Sequence, residues 1–143
     1  MKIRNALASD VRNVKILIEE LEDIQMESAE FESIFLEYIE RKNALVWVVE
    51  NNELEVIGFV SCFGQRLIHH LNWVYEIQEL IITKSYQNKG IGKILIEKLV
   101  EEMKKRNVFS LEVTTNKKRI AAHEFYSATG FLNSHEKFTM YFQ

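Results

Sequence analysis

Proline is absent from this chain of 143 residues, cysteine occurs once, at Cys62, and glycine five times. One thiol excludes an intrachain disulfide. The adjacent His69 and His70 point to opposite sides of an extended chain, and no cysteine or acidic partner completes a ligand set around them or His123, so no metal is expected. No apolar run approaches the roughly 20 residues that a membrane span needs, and Met1-Lys2-Ile3-Arg4 does not open an apolar leader. The formal net charge of −3 provides no basic footprint for nucleic acid. These absences leave a cytoplasmic protein, binding neither nucleic acid nor membrane, as the expectation. The missing proline itself carries no functional reading.

What is present is ordinary in amount and informative in order. At 47% apolar and 27% charged residues, the chain suits one domain over residues 1–143 with a single substantial core. Ser9 or Asp10 stands ready to cap a first helix, in which Val11, Val14, Ile18, Leu21 and Ile24 recur at helical spacing. A second helix is predicted over Ala29 to Arg41, with Phe31, Ile34, Phe35, Tyr38 and Ile39 inward. Strands are predicted over Leu45 to Glu50, Val56 to Phe63 and Tyr75 to Thr83, the first two joined by a turn at Asn51-Asn52-Glu53. Ile91, Leu95, Leu99 and Met103 form a helical stripe, Val108 to Thr115 reads as a strand, and Arg119 to Thr129 as a short helix stopped by Gly130. Lys137 to Phe142 reads as a closing strand. The fold class is therefore mixed α/β, with hairpins early and a strand–helix–strand crossover later.

The crossover carries the most informative residues, Gln87-Asn88-Lys89-Gly90-Ile91-Gly92, where a strand ends in a turn that opens directly into a helix. The first N–H groups of such a helix are free, and the macrodipole places roughly half a positive charge beside them. Two glycines two apart keep Cβ atoms away from an approaching phosphate. Neither nucleotide motif accounts for the turn. A P-loop would need glycine at Gln87 and Ser or Thr at Ile94, and a dinucleotide fingerprint would need glycine at Leu95.

The turn does fit the pattern Q/R-x-x-G-x-G/A, and the match extends on both sides. Leu80-Ile81-Ile82-Thr83-Lys84-Ser85-Tyr86-Gln87 precedes it, and Ala122-His123-Glu124-Phe125-Tyr126-Ser127-Ala128-Thr129-Gly130-Phe131 follows as A-x-x-x-Y-x-x-x-G-F. Along nearly its whole length the chain resembles the GNAT superfamily of N-acetyltransferases. The resemblance implies a central, mixed, mostly antiparallel sheet, splayed where an acyl-pantetheine arm enters. It implies acetyl-coenzyme A as cosubstrate and a primary amine of a small molecule or peptide as acceptor. A homodimer is a further possibility of the family. A coenzyme A-binding regulatory domain without turnover is the alternative.

The resemblance also distributes roles. Gln87, Asn88, Lys89, Gly90, Ile91, Gly92 and Lys93 would hold the pyrophosphate through backbone N–H groups. Lys89 and Lys93 would add screened attraction of a few tenths to about 1 kcal/mol each. The main chain of Ile81 and Ile82 would face the thioester oxygen. Tyr126 would protonate the leaving thiolate, a task suited to a phenol that stays protonated at neutral pH. Glu79 would receive the proton of the amine, with Glu76 as its rival. Three apart on a strand, these two glutamates are expected to face opposite sides, Glu76 with Leu80 and Ile82, Glu79 with Ile77 and Ile81. Asn116 would contact coenzyme A, with Arg119 as its rival. Cys62, alternating into an apolar strand, is not expected to act as a nucleophile.

Overall fold

The computed structural model describes all residues, 1–143. The elements run β1 (Lys2–Asn5), α1 (Val11–Glu22), α2 (Ser28–Glu40), β2 (Ala44–Glu50), β3 (Val56–Leu67), β4 (Asn72–Ile82), α3 (Ile91–Arg106), β5 (Ser110–Val113) and α4 (Ile120–Ala128). The strands form one five-stranded sheet in chain order. β1 to β4 are antiparallel neighbours, and β5 lies parallel to β4. This is the mixed, mostly antiparallel sheet flanked by helices that the family resemblance implies.

Two apolar layers explain why β2 and β3 are hydrophobic almost throughout. Val46, Val48, Phe59 and Ile81 face α1 and α2, where they meet Val14, Leu17 and Phe35. Leu45, Trp47, Val49, Val60 and Ile77 face α3, where they meet Ile91, Leu95, Ile96, Leu99 and Met103. Leu95 and Leu99 are wholly buried, each contributing about 1.5–3 kcal/mol of transfer free energy. Lys104, Lys105 and Arg106 occupy the last turn of α3, where positive charge complements the dipole, and Asn107 leaves the helix in a left-handed conformation.

Local chemistry departs from expectation at two termini. Asp10 does not cap α1. Its carboxylate turns back to accept from the Leu7 N–H (2.7 Å) and from both nitrogens of the Arg4 fork (2.8 and 2.9 Å), because a buried carboxylate gains more from a bidentate guanidinium than from one helix amide. Helix α2 is capped instead by the Glu27 carboxylate, which accepts from Ala29 and Glu30.

The predicted closing strand, Lys137 to Phe142, is not formed. Phe138, Met140 and Phe142 alternate as a strand would, yet they are 92, 77 and 88% exposed. A strand exists only as half of a ladder, and no backbone hydrogen bond joins this segment to the rest of the chain.

Candidate active site

β5 pairs with β4 only from Val74 to Ile77 and ends at Val113, whereas β4 continues to Ile82. The sheet therefore opens beyond Ile77, leaving one edge of the last turn-ward residues of β4 without a neighbour. The Thr83 N–H donates to the Ile57 carbonyl at 2.9 Å, which sets the alternation of that strand end. Ile81 accordingly turns its main chain to β3, while Leu80 and Ile82 turn theirs to the open side. Gln87 Nε2 donates to the Ile82 carbonyl there at 2.9 Å.

The turn that follows is held from three sides. Glu20 on α1 accepts from the Thr83 hydroxyl and the Lys84 N–H (3.1 and 2.8 Å). The Tyr86 hydroxyl accepts from buried Asn51, whose side chain also closes the β2–β3 hairpin. Lys89 lies over the Tyr86 ring, 4.9 Å from its centroid. From Asn88 to Lys93, successive backbone N–H groups have no acceptor, and the first helical bond is Ile94 N–H to the Gly90 carbonyl. Gln87 is the exception, its N–H bonded to the Lys84 carbonyl. An uninterrupted row of free donors at a helix N-terminus fits an anion such as a pyrophosphate.

The two glycines of the turn serve different ends. Gly90 has φ of +81° with open space where a Cβ would stand, so it supplies the left-handed entry to α3. At Gly92 a Cβ would lie 3.2 Å from the Phe125 ring, so this glycine lets α4 pack on the first turn of α3.

Helix α4 ends in a Schellman arrangement: Gly130 N–H to the Ser127 carbonyl and Phe131 N–H to the Tyr126 carbonyl, with Gly130 at φ +103°. Its accompanying apolar contact is Phe131 on Tyr126, with ring centroids 5.5 Å apart. Phe125 holds the other side of Tyr126 at 5.1 Å. Burial pushes the Tyr126 phenol above its ordinary value, partly offset by Arg119. Asn116 closes an Asx turn on the Lys118 N–H (2.9 Å), and its carbonyl meets His123 Nε2 (2.9 Å).

On the opposite sheet face the expectation for Glu76 and Glu79 is corrected. Ser61 opposes Glu79, but Cys62 opposes Ile77, so Gln78 is an unpaired bulge residue. The extra residue resets the alternation, and Glu76, opposite Phe63, emerges on the same face as Glu79 and Ile81. Ile77, Leu80 and Ile82 face α3. At the bulge Ser61 Oγ accepts the Glu79 N–H at 3.1 Å while donating to Glu79 Oε1. The Tyr38 hydroxyl, from the last turn of α2, donates to Oε2 at 3.2 Å. Burial pushes the Glu79 carboxyl above the usual carboxylate range, against the pull of these two hydroxyls.

Tyr38 and Ser61 are site residues that sequence reasoning missed. Ser61 did leave a signal, as the one hydroxyl in an otherwise apolar strand run, a group that needs a partner when buried. Glu79 and Tyr126 make no contact; they flank the opened sheet from opposite faces. Cys62 is fully buried and burial pushes its thiol up to about 12, the state of an inert thiol.

Comparison with known proteins agrees with this architecture. The profile of the acetyltransferase (GNAT) family matches residues 13–131. The chain is 33% identical to an aminoalkylphosphonate N-acetyltransferase of Salmonella typhimurium, over 96% of this chain and 89% of that protein. Among solved structures, a transcriptional regulator from Bacillus halodurans C-125 superposes with a TM-score of 0.88 at 26% identity, over 99% of both chains. Glucosamine-6-phosphate N-acetyltransferase from Arabidopsis thaliana superposes with a TM-score of 0.79 at 20% identity, over 99% of this chain and 98% of that one. The chain belongs to the GNAT acetyltransferase family.

Proposed function

We propose that this protein transfers the acetyl group of acetyl-coenzyme A to a primary amine of a small molecule or peptide, by direct attack within a ternary complex. The observation that carries this reading is the row of free N–H groups from Asn88 to Lys93, beside an opened strand whose other face bears the half-buried Glu79. That row suits the pyrophosphate, with Lys89 and Lys93 adding charge, and Asn116 is assigned a contact with the same molecule through its side-chain amide.

The cosubstrate brings an activated thioester; the remaining work falls to the chain. An alkylamine with a pKa near 10 needs roughly 4 kcal/mol to expose its lone pair at neutral pH. Glu79 takes that proton, and its raised affinity for protons suits it to the task. The N–H of Ile82, turned to the open edge, supports the carbonyl oxygen as charge develops, whereas Ile81, expected to share this role, spends its main chain on β3. The thiolate leaves with the proton of Tyr126.

The Salmonella relative makes an aminoalkylphosphonate the first acceptor to try. Exposed apolar alternation in residues 137–142 supports a homodimer in which a second copy covers the tail. The Bacillus halodurans relative favours a second reading, a coenzyme A-binding regulatory domain without turnover. Calorimetric titration with acetyl-coenzyme A, followed by thiol release with a panel of amines, separates them. Binding with amine-dependent release is expected; binding without release by any amine supports the regulatory reading, and no binding overturns both.

A further inference from the structure

Helix α2 ends against the acceptor side of the sheet, and its last turn brings more than the hydroxyl of Tyr38. The Tyr38 ring meets Phe63 edge-on, with centroids 4.7 Å apart. Over the same Phe63 lies the guanidinium of Arg41, with Cζ 4.3 Å from the ring centroid. Arg41 follows the helix directly, anchored by its N–H on the Tyr38 carbonyl. Its guanidinium has no hydrogen bond and no carboxylate within 4.0 Å, in a chain that has more acidic than basic residues. Phe63 and Ser61 are two apart on β3 and share a face, so Arg41, Phe63, Tyr38 and Glu79 form one continuous line of contacts.

We propose that Arg41 is the anion-recognition residue of the acceptor site, so that the acceptor is a primary amine carrying an oxyanion at its other end. This rests on the acetyl-transfer reading above, which places the amine at Glu79. Its position over Phe63 holds the guanidinium near the sheet and leaves its N–H groups without protein partners, and that fork matches the paired oxygens of a phosphonate, phosphate or carboxylate. A single exposed guanidinium attracts an anion weakly; one whose ligand is already held at the amine end acts on a tethered group. The same charge repels the second ammonium of a diamine, which selects against polyamines. Glu76, on the same face opposite Phe63, directs the oxyanion towards α2 and away from β4.

The test compares three acceptors that share a short alkyl amine: 2-aminoethylphosphonate, β-alanine and 1,3-diaminopropane, with n-propylamine as the reference that lacks a second charged group. Steady-state thiol release is measured for the wild type, Arg41→Met and Arg41→Lys. The wild type is expected to favour the anionic amines over n-propylamine in kcat/KM. Arg41→Met should reduce that ratio by about tenfold to a hundredfold, chiefly through KM, as expected for loss of charge-assisted hydrogen bonds. Arg41→Lys should fall between them. An unchanged ratio in Arg41→Met, or a wild type that favours the diamine, overturns the proposal. Should no amine release thiol, the transfer reading fails separately, and calorimetry with 2-aminoethylphosphonate in the presence of coenzyme A decides the role of Arg41. Binding lost in Arg41→Met upholds it; equal binding by both, or none to the wild type, overturns it.

Discussion

Ser61→Ala tests the assignment of the base most directly, because it changes Glu79 without touching it. The substitution removes the O–H that donates to Glu79 Oε1 and the oxygen that accepts the Glu79 N–H. Ser61 is fully buried, so water does not readily replace either partner. Losing the bond to the N–H costs about 0.5–1.5 kcal/mol of folding stability, read as a lower urea midpoint. For the carboxylate, losing a hydrogen bond that favours the charged form costs about 1.5–3 kcal/mol. A general base must be ionised, and burial already holds Glu79 above the usual range, so the acid limb of kcat/KM moves further up in pH. At pH values below both limbs the variant is therefore slower by about tenfold to a hundredfold, approaching the wild type on the plateau. Glu79→Gln, which cannot ionise, should lose the limb altogether. The assay is thiol release with one amine from pH 5 to 9. An acid limb in the same place in folded Ser61→Ala, or one that persists in Glu79→Gln, would show that another group titrates and would refute this reasoning.

The other predictions concern Tyr126, Asp10 and the tail. Tyr126→Phe should lower kcat by about a hundredfold or more, the usual weight of a general acid, while calorimetric affinity for acetyl-coenzyme A stays within a factor of about three. Asp10→Asn turns an amide donor towards Arg4 and should destabilise the fold by about 1.5–3 kcal/mol at pH 7 in urea denaturation. The Arg4 fork holds the Asp10 carboxyl below its usual range, so its contribution is complete above the ordinary value near 4. It is lost as pH falls through the folded value, and the gap between wild type and Asp10→Asn should close there; a gap constant down to pH 2 would contradict the pairing. Truncation after Phe131 should convert a homodimer into a monomer by light scattering, and an unchanged mass would assign the dimer surface elsewhere.

Local order was legible because its causes are local. The stripe from Ile91 to Met103, the turn at Asn51, the stop at Gly130 and the glycine turn before α3 each depend on residues within a few positions of one another. The free amides from Asn88 to Lys93 follow from the same local geometry. Gly92 was read as clearing the way for a phosphate, but what a Cβ there would meet is Phe125, more than thirty positions away in the sequence.

The surroundings of Glu79 were decided by tertiary structure. Period-two alternation separates Glu76 from Glu79, and one bulge residue, Gln78, cancels it; where a bulge falls depends on the pairing of two strands and not on either alone. The partners of Glu79 come from β3 and α2, and the partner of Phe63 comes from beyond the end of α2, so no spacing along the chain could join them. Asp10 abandons the cap for the same reason, since Arg4 arrives with β1. The amino-acid order by itself determined the elements, the tail excepted, and the glycine turn, where the deciding contacts are local. Burial, and with it the protonation of Glu79, exists only when distant segments pack, because desolvation belongs to the assembled fold.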